Sequence, residues 1–177
     1  SFEDLPPREV ANRLVKIQGK LEDRDTAYWV QFNDDGVWVE TYGWNGTASA
    51  QRSTMPHVLR KTAANTFEFR QGDWTSRMVG DADSNPSPTF FGNKINNIFL
   101  FKGRLGFLSE ENVILSEVSV LENFYLTTVI QSISTDPIDV ASATGRVSTL
   151  YHTATFADEL LLFSDKQQFR LTSGNVL

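Results

Sequence analysis

Ile95-Asn96-Asn97-Ile98-Phe99-Leu100-Phe101 runs through Lys102-Gly103-Arg104 into Leu105-Gly106-Phe107-Leu108-Ser109, then through Glu110-Glu111-Asn112 into Val113-Ile114-Leu115-Ser116. The apolar runs are too short for ordinary helices, are rich in Ile, Val, Leu and Phe, and are separated by Gly, Asn and charged residues. Three short strands in meander order are therefore predicted.

A related arrangement recurs at Val147 to Phe156, Glu159 to Ser164 and Gln167 to Thr172, where Phe163-Ser164-Asp165 answers Leu108-Ser109-Glu110 and Ser109 and Ser164 stand 55 positions apart. That spacing suits propeller blades, which carry about four strands in roughly 40–50 residues. Two units cannot close a propeller, and two unrelated hairpins sharing turn chemistry would read the same way. Open blades would leave strand edges that favour oligomers or a longer parent chain.

Working outward, residues 78–92 are dense in Asp, Asn, Ser and Gly and contain Pro86 and Pro88, which continue neither a helix nor a central strand. They are the expected boundary between a β-rich unit over 1–77 and an antiparallel unit with two blade-like hairpin repeats over 93–177. In the first unit, Tyr28, Val30 and Phe32 alternate with Trp29 and Gln31, and Asn33-Asp34-Asp35-Gly36 turns the chain into Val37-Trp38-Val39-Glu40-Thr41. A polar stretch from Gly43 to Thr54 follows, then Met55 to Leu59 resumes an extended pattern answered by Thr66-Phe67-Glu68-Phe69. One short N-terminal helix is expected over Pro6 to Val15, with Asp4 as cap and Val10, Leu14 and Ile17 at helical spacing. The fold class is thus mainly β, with one helix and a small β-rich unit ahead of propeller-blade-like antiparallel strands.

With 177 residues, 40% of them hydrophobic and 12% aromatic, the chain can bury a proper core, and without cysteine it must do so by packing alone. No thiolate metal site or cysteine nucleophile is possible. Neither a membrane span nor a leader peptide is expected, since no long apolar run occurs and the chain opens Ser1-Phe2-Glu3-Asp4. The missing Met and the final Ser173-Gly174-Asn175-Val176-Leu177 read as the ends of a portion of something longer. A net charge of −6, from 22 acidic and 16 basic residues, argues against tight binding to a phosphate backbone. A passive conduit for DNA is compatible with it.

Few constellations suggest chemistry. Asp81-Ala82-Asp83-Ser84-Asn85 opens like a calcium loop, yet Pro86 stands where the loop needs Gly and Gly92 where it needs Glu, which favours a turn. Asp136 and Asp139 could act as an acid and base pair on a glycoside, although Asp136-Pro137 is also an ordinary turn start. His57 and His152 sit in largely apolar extended segments and are expected to be buried or partly buried structural imidazoles rather than bases or ligands. Trp29, Trp38, Trp44 and Trp74, with Tyr28 and Tyr42, could stack on sugars, or fill a core on the inner face of a hairpin. Arg77 and Arg104 are candidate partners for Asp81 or Asp136. The sequence carries no Gly-x-Ser-x-Gly elbow, phosphate-binding glycine loop or zinc spacing.

Several long motifs occur together and in order. They are Thr54-Met55-Pro56-His57, Asp73-Trp74-Thr75-Ser76-Arg77-Met78-Val79-Gly80-Asp81-Ala82-Asp83-Ser84-Asn85-Pro86, Pro88-Thr89-Phe90-Phe91-Gly92, Arg104 to Ser109, Glu111 to Ser116, Asp136-Pro137-Ile138-Asp139-Val140 and Glu159 to Ser164. With the hairpin from Tyr28 to Thr41, they resemble the tail nozzle family of short-tailed bacteriophages, also called tail tubular protein B. Members of that family are several times longer than this chain.

The resemblance implies a structural protein of the virion tail, not an enzyme, with no catalytic residue, cofactor or metal. It also implies six copies in a ring below the portal and adaptor, enclosing the channel through which DNA leaves. The implied partners are neighbouring copies, a tail adaptor resembling tail tubular protein A, tail fibres, and passing DNA bound without sequence specificity. Acidic walls would discourage a sliding polyanion from sticking within a Debye length of about 8 Å. Two other readings use the same residues: a carbohydrate-binding or carbohydrate-cleaving tail protein, and a module that binds a host receptor without chemistry.

Overall fold

The computed structural model describes residues 1–18, 27–44, 54–142 and 147–172; most of the polar stretch between Gly43 and Thr54, and the end from 173 to 177, lie outside the described residues. The described chain is built of β1 (Leu14–Ile17), β2 (Tyr28–Phe32), β3 (Trp38–Thr41), β4 (His57–Ala63), β5 (Thr66–Gln71), β6 (Ile95–Phe101), β7 (Arg104–Ser109), β8 (Asn112–Leu115), β9 (Ile138–Ala141), β10 (Leu150–Phe156), β11 (Glu159–Ser164) and β12 (Gln168–Leu171). These strands pair in four antiparallel sheets, as a mainly β reading requires.

The helix expected over Pro6 to Val15 does not form. The consecutive prolines disfavour helical geometry in the residues before them, and Asn12 takes a left-handed φ of 68°. Its N–H donates to the Phe32 carbonyl at 2.7 Å, so the segment is joining a sheet. Leu14 and Val15 stand opposite Gln31 and Val30, and Val10, expected on a buried helical face, is 74% exposed. Pairing with a hairpin already in place outweighs a weak local period. The helical geometry near the start is a short 3-10 turn at Phe2–Asp4.

Two compact units emerge, one of Ser1–Ser49, Ser76–Ser87 and Tyr125–Ile133, the other of Ala50–Thr75, Pro88–Phe124 and Ser134–Leu177. The division by position at 78–92 is a linear one, whereas each unit in space draws residues from both sides of it.

In the first unit β2 is central, between β1 and β3, and its alternation buries Val30 and Phe32 while Trp29 and Gln31 stay half-buried. The loop before Asp81 adds to the edge of β3, where Gly80 N–H donates to the Thr41 carbonyl (3.1 Å) and Gly43 N–H to the Gly80 carbonyl (2.9 Å).

In the second unit, the central strands β7 and β8 of the sheet β6-β7-β8-β9 are buried on both faces. Phe107 and Ile114 join Met55, Trp74, Phe90 and Phe124 on one side, and Leu108, Val113 and Leu115 join Phe101, Leu150, Leu160 and Leu162 on the other. This is why β7 and β8 read as nearly unbroken apolar runs instead of alternating ones. A fourth strand, β9, was hidden behind the Asp136-Pro137 turn start; Ile138 pairs with Leu115 and Val140 with Val113.

The 55-residue offset is present in the pairing itself. Ile95 pairs with Ser109 and Leu150 with Ser164; a bulge follows Ile95 and another follows Leu150; Phe101 pairs with Arg104 and Phe156 with Glu159. The third strands agree as well, with Phe107 opposite Ile114 and Leu162 opposite Phe169. One pair is exchanged in size: Phe99 lies across Gly106 in the first meander, Ala154 across Leu161 in the second.

Candidate functional site

Two of the carboxylates that suggested chemistry, those of Asp81 and Asp139, are engaged in holding loops. Asp81 receives Trp29 Nε1–H on Oδ2 at 3.0 Å, and on Oδ1 the N–H groups of Asp83 and Ser84 (3.1 Å each) and the Ser84 hydroxyl (3.0 Å). Lys16 Nζ stands 3.4 Å from Oδ2 and 5.4 Å from the centre of the Trp29 ring. Burial pushes the Asp81 carboxyl pKa up, but the bonds from Trp29, Ser84 and Asp83 outweigh it and hold the group well below the ordinary carboxylate range. The calcium-like motif is thus a turn closed on its own backbone, and among the described residues no cluster of three or more His, Asp or Glu could hold a metal.

Asp136 and Asp139 serve different ends of one strand entry. Asp139 accepts from Thr89 N–H and Thr89 Oγ1 at 2.8 Å each and from Asn112 Nδ2 at 2.9 Å, tying the loop at Thr89 to β8 and β9. Asp136 is half-buried beside Arg104, whose Nη1 donates to the Asp136 carbonyl at 2.6 Å. Arg104 is itself 3% exposed and also reaches the carbonyls of Ser116 (2.7 Å), Thr135 (3.3 Å) and Ser134 (2.9 Å). Burial lowers its pKa, opposed by the negative charges of Asp136 and Glu117. Arg104 thus meets Asp136 through its main-chain carbonyl, with the Asp136 charge close enough to act on the guanidinium. Arg77 Nε donates to the Asn85 carbonyl at 2.6 Å and its guanidinium lies 5.4 Å from the centre of the Tyr125 ring.

The histidines correct the expectation of burial. His57 is exposed on β4 and stacked on Phe69 at 5.1 Å, and His152 is exposed on β10. The tryptophans are dispersed as well: Trp29 is bonded to Asp81, Trp38 Nε1 donates to the Pro6 carbonyl at 2.9 Å, and Trp74 is core and donates to the Pro56 carbonyl at 3.1 Å. Trp44, 79% exposed, is left as the one tryptophan of the four that offers an open face.

Other tethers escaped sequence reading. Glu40 accepts Thr128 Oγ1 (2.7 Å) and Val129 N–H (2.8 Å). Buried Asn85 donates to the carbonyls of Val79 and Leu126 and accepts Leu126 N–H, all within 3.1 Å. Both bridge more than 40 positions of sequence, a distance that no local spacing signals, although Asn85 before Pro86 marks a turn.

Fold and polar groups together define a structural β scaffold whose carboxylates and guanidiniums hold backbone in place. The chain belongs to the bacteriophage nozzle protein family, whose model matches residues 1–177. It is 41% identical over 178 residues to the tail tubular protein gp12 of Escherichia phage T7, covering 100% of this chain and 22% of that protein. The chain therefore spans about a fifth of the length of the curated relative it matches. It is a structural component of a phage tail, and the virion tail is its location.

Proposed function

We propose that the chain forms part of the wall of a tail nozzle, assembled in the full-length protein as a six-membered ring around the channel for outgoing DNA. In this reading it meets a tail adaptor and tail fibres through other surfaces, performs no catalysis, and guides DNA without reading its sequence. The observation that carries the proposal is the family match over the whole chain, supported by the Asp81 and Asp139 carboxylates, which are engaged in structural hydrogen bonds. A glycan-cleaving role would need two carboxyls free to act on one bond, and Asp139 is instead occupied by Thr89 and Asn112.

Immunogold electron microscopy of phage particles, with antibodies raised against this chain, tests the placement. Label concentrated on the tail below the capsid is expected. An unlabelled tail, with antibodies that recognise the native protein, would overturn the reading.

A further inference from the structure

Both apolar clusters described above lie in the second unit, and the first unit is closed by other means. Its sheet β1-β2-β3 buries Ile17, Val30 and Phe32, and residues 125–133, which follow β8 and precede β9 in the sequence, complete it. Glu40 stands opposite Val30, and cross-strand partners share a face, so a carboxylate lies beside the buried Val30. Both of its oxygens are taken by that one segment: Oε2 accepts the Thr128 hydroxyl at 2.7 Å and Oε1 the Val129 N–H at 2.8 Å. The Tyr28 hydroxyl, on the same strand as Val30, has its pKa raised by burial first and then by the Glu40 charge.

The segment has further seats in the same unit. Asn85 accepts Leu126 N–H at 3.0 Å and donates to the Leu126 carbonyl at 3.1 Å. Tyr125 is buried, with its ring centre 5.4 Å from the Arg77 guanidinium and its hydroxyl 3.3 Å from Ser87 Oγ. Val129 packs against the loop at Gly80, where an added Cβ would stand 3.0 Å from Val129 Cγ1. A sheet of three short strands with three buried apolar side chains has little area to hold it. Lifting the segment would leave the Glu40 carboxylate and the Asn85 amide without these partners beside apolar packing, and buried polar groups are costly to leave unmatched.

We propose that residues 125–133 are a strap, and that the strap and the sheet β1-β2-β3 open and close as one block whose release point is the Glu40 carboxylate. When the strap is seated, Glu40 and Asn85 are satisfied by protein and the sheet stays dry. When it leaves, only water can satisfy them, and water entering beside Val30 undoes the packing of the sheet as well. Parts of a protein that move are drawn from its less stable elements, and a block held by hydrogen bonds in place of a large core is such an element. The device does not depend on the nozzle assembly.

Native-state hydrogen exchange of the full-length protein tests it. In the unchanged protein, the amides of Leu126 and Val129 should exchange through the same opening as those of Val30 and Phe32, and faster than those of Phe107 and Ile114. Glu40→Ala is expected to speed exchange at Leu126, Val30 and Phe32 together, at least about tenfold, with Phe107 and Ile114 unchanged. Thr128→Ala, which removes one bond of the seat, should shift the same amides in the same direction by less, and it serves where Glu40→Ala does not fold. A strap that loosens while Val30 and Phe32 stay as they were overturns the proposal, because strap and sheet are then separate. Equal acceleration at Phe107 and Ile114 overturns it too, because the opening is then that of the whole chain.

Discussion

At the scale of single residues, polar groups are employed where backbone would otherwise lie unpaired. Arg104 offers one charge to four carbonyls, from Ser116, Ser134, Thr135 and Asp136. Replacing Arg104 with Met strands those acceptors and is expected to cost at least about 3 kcal/mol, since each buried unsatisfied group costs about 1–3 kcal/mol. Lys in its place should recover only part, because an ammonium lacks the planar fork; urea unfolding of the three proteins measures both. Asp81 makes a second case, with a sign in pH. Its carboxyl titrates lower in the folded chain than in the unfolded one, where the value is about 3.9. The stabilisation is therefore fully present above that pH and fades as pH falls through the folded value. Asp81→Asn should lose about 1–3 kcal/mol at pH 7, and the gap to the unchanged protein should narrow steadily below about pH 4, as followed in thermal melts.

Among elements, the exchanged pair in the two meanders is informative. A Cβ on Gly106 would overlap the ring of Phe99, whereas the equivalent site in the second meander carries Leu161 opposite Ala154. Gly106→Leu alone should destabilise by about 1–3 kcal/mol through overpacking. Adding Phe99→Ala should restore part of that loss by reproducing the second arrangement; calorimetry of single and double variants reads the coupling. The strands of this region were legible because short apolar runs between turn residues have few other interpretations. Lys102-Gly103 marked its hairpin, and both residues do take positive φ, 47° and 74°. β1 was not legible, because Leu14 and Val15 fit a helical spacing as well as a strand and the choice was made by β2 from a distance. β9 and the bonds of Asp139 were equally hidden, since an Asp-Pro turn start says nothing of Thr89 some fifty positions away. The exposed histidines were misjudged for a related reason: an apolar segment at an edge has one face in solvent, and composition does not tell which.

For the whole molecule, charge and size set the behaviour in solution. The chain by itself is expected to be monomeric at modest concentration, since a lasting ring contact needs at least about 1,000 Å² of matched surface; a hexamer in light scattering would contradict this. With a net charge of −6 and a pI near 4.9, it should not retard duplex DNA in a gel shift at physiological salt. Retention requires several phosphates to be neutralised at once. Both results are what a wall, as distinct from a clamp, should give.

The bulges after Ile95 and after Leu150 fix the bend of the two meanders as well as their register. A bulge places one extra residue in one strand and increases the local twist, and both meanders carry it at the same step of the ladder. Each first strand is therefore bent at its start while the rest of its ladder runs regularly, so the two meanders share one curvature although Phe99 faces Gly106 in one and Ala154 faces Leu161 in the other.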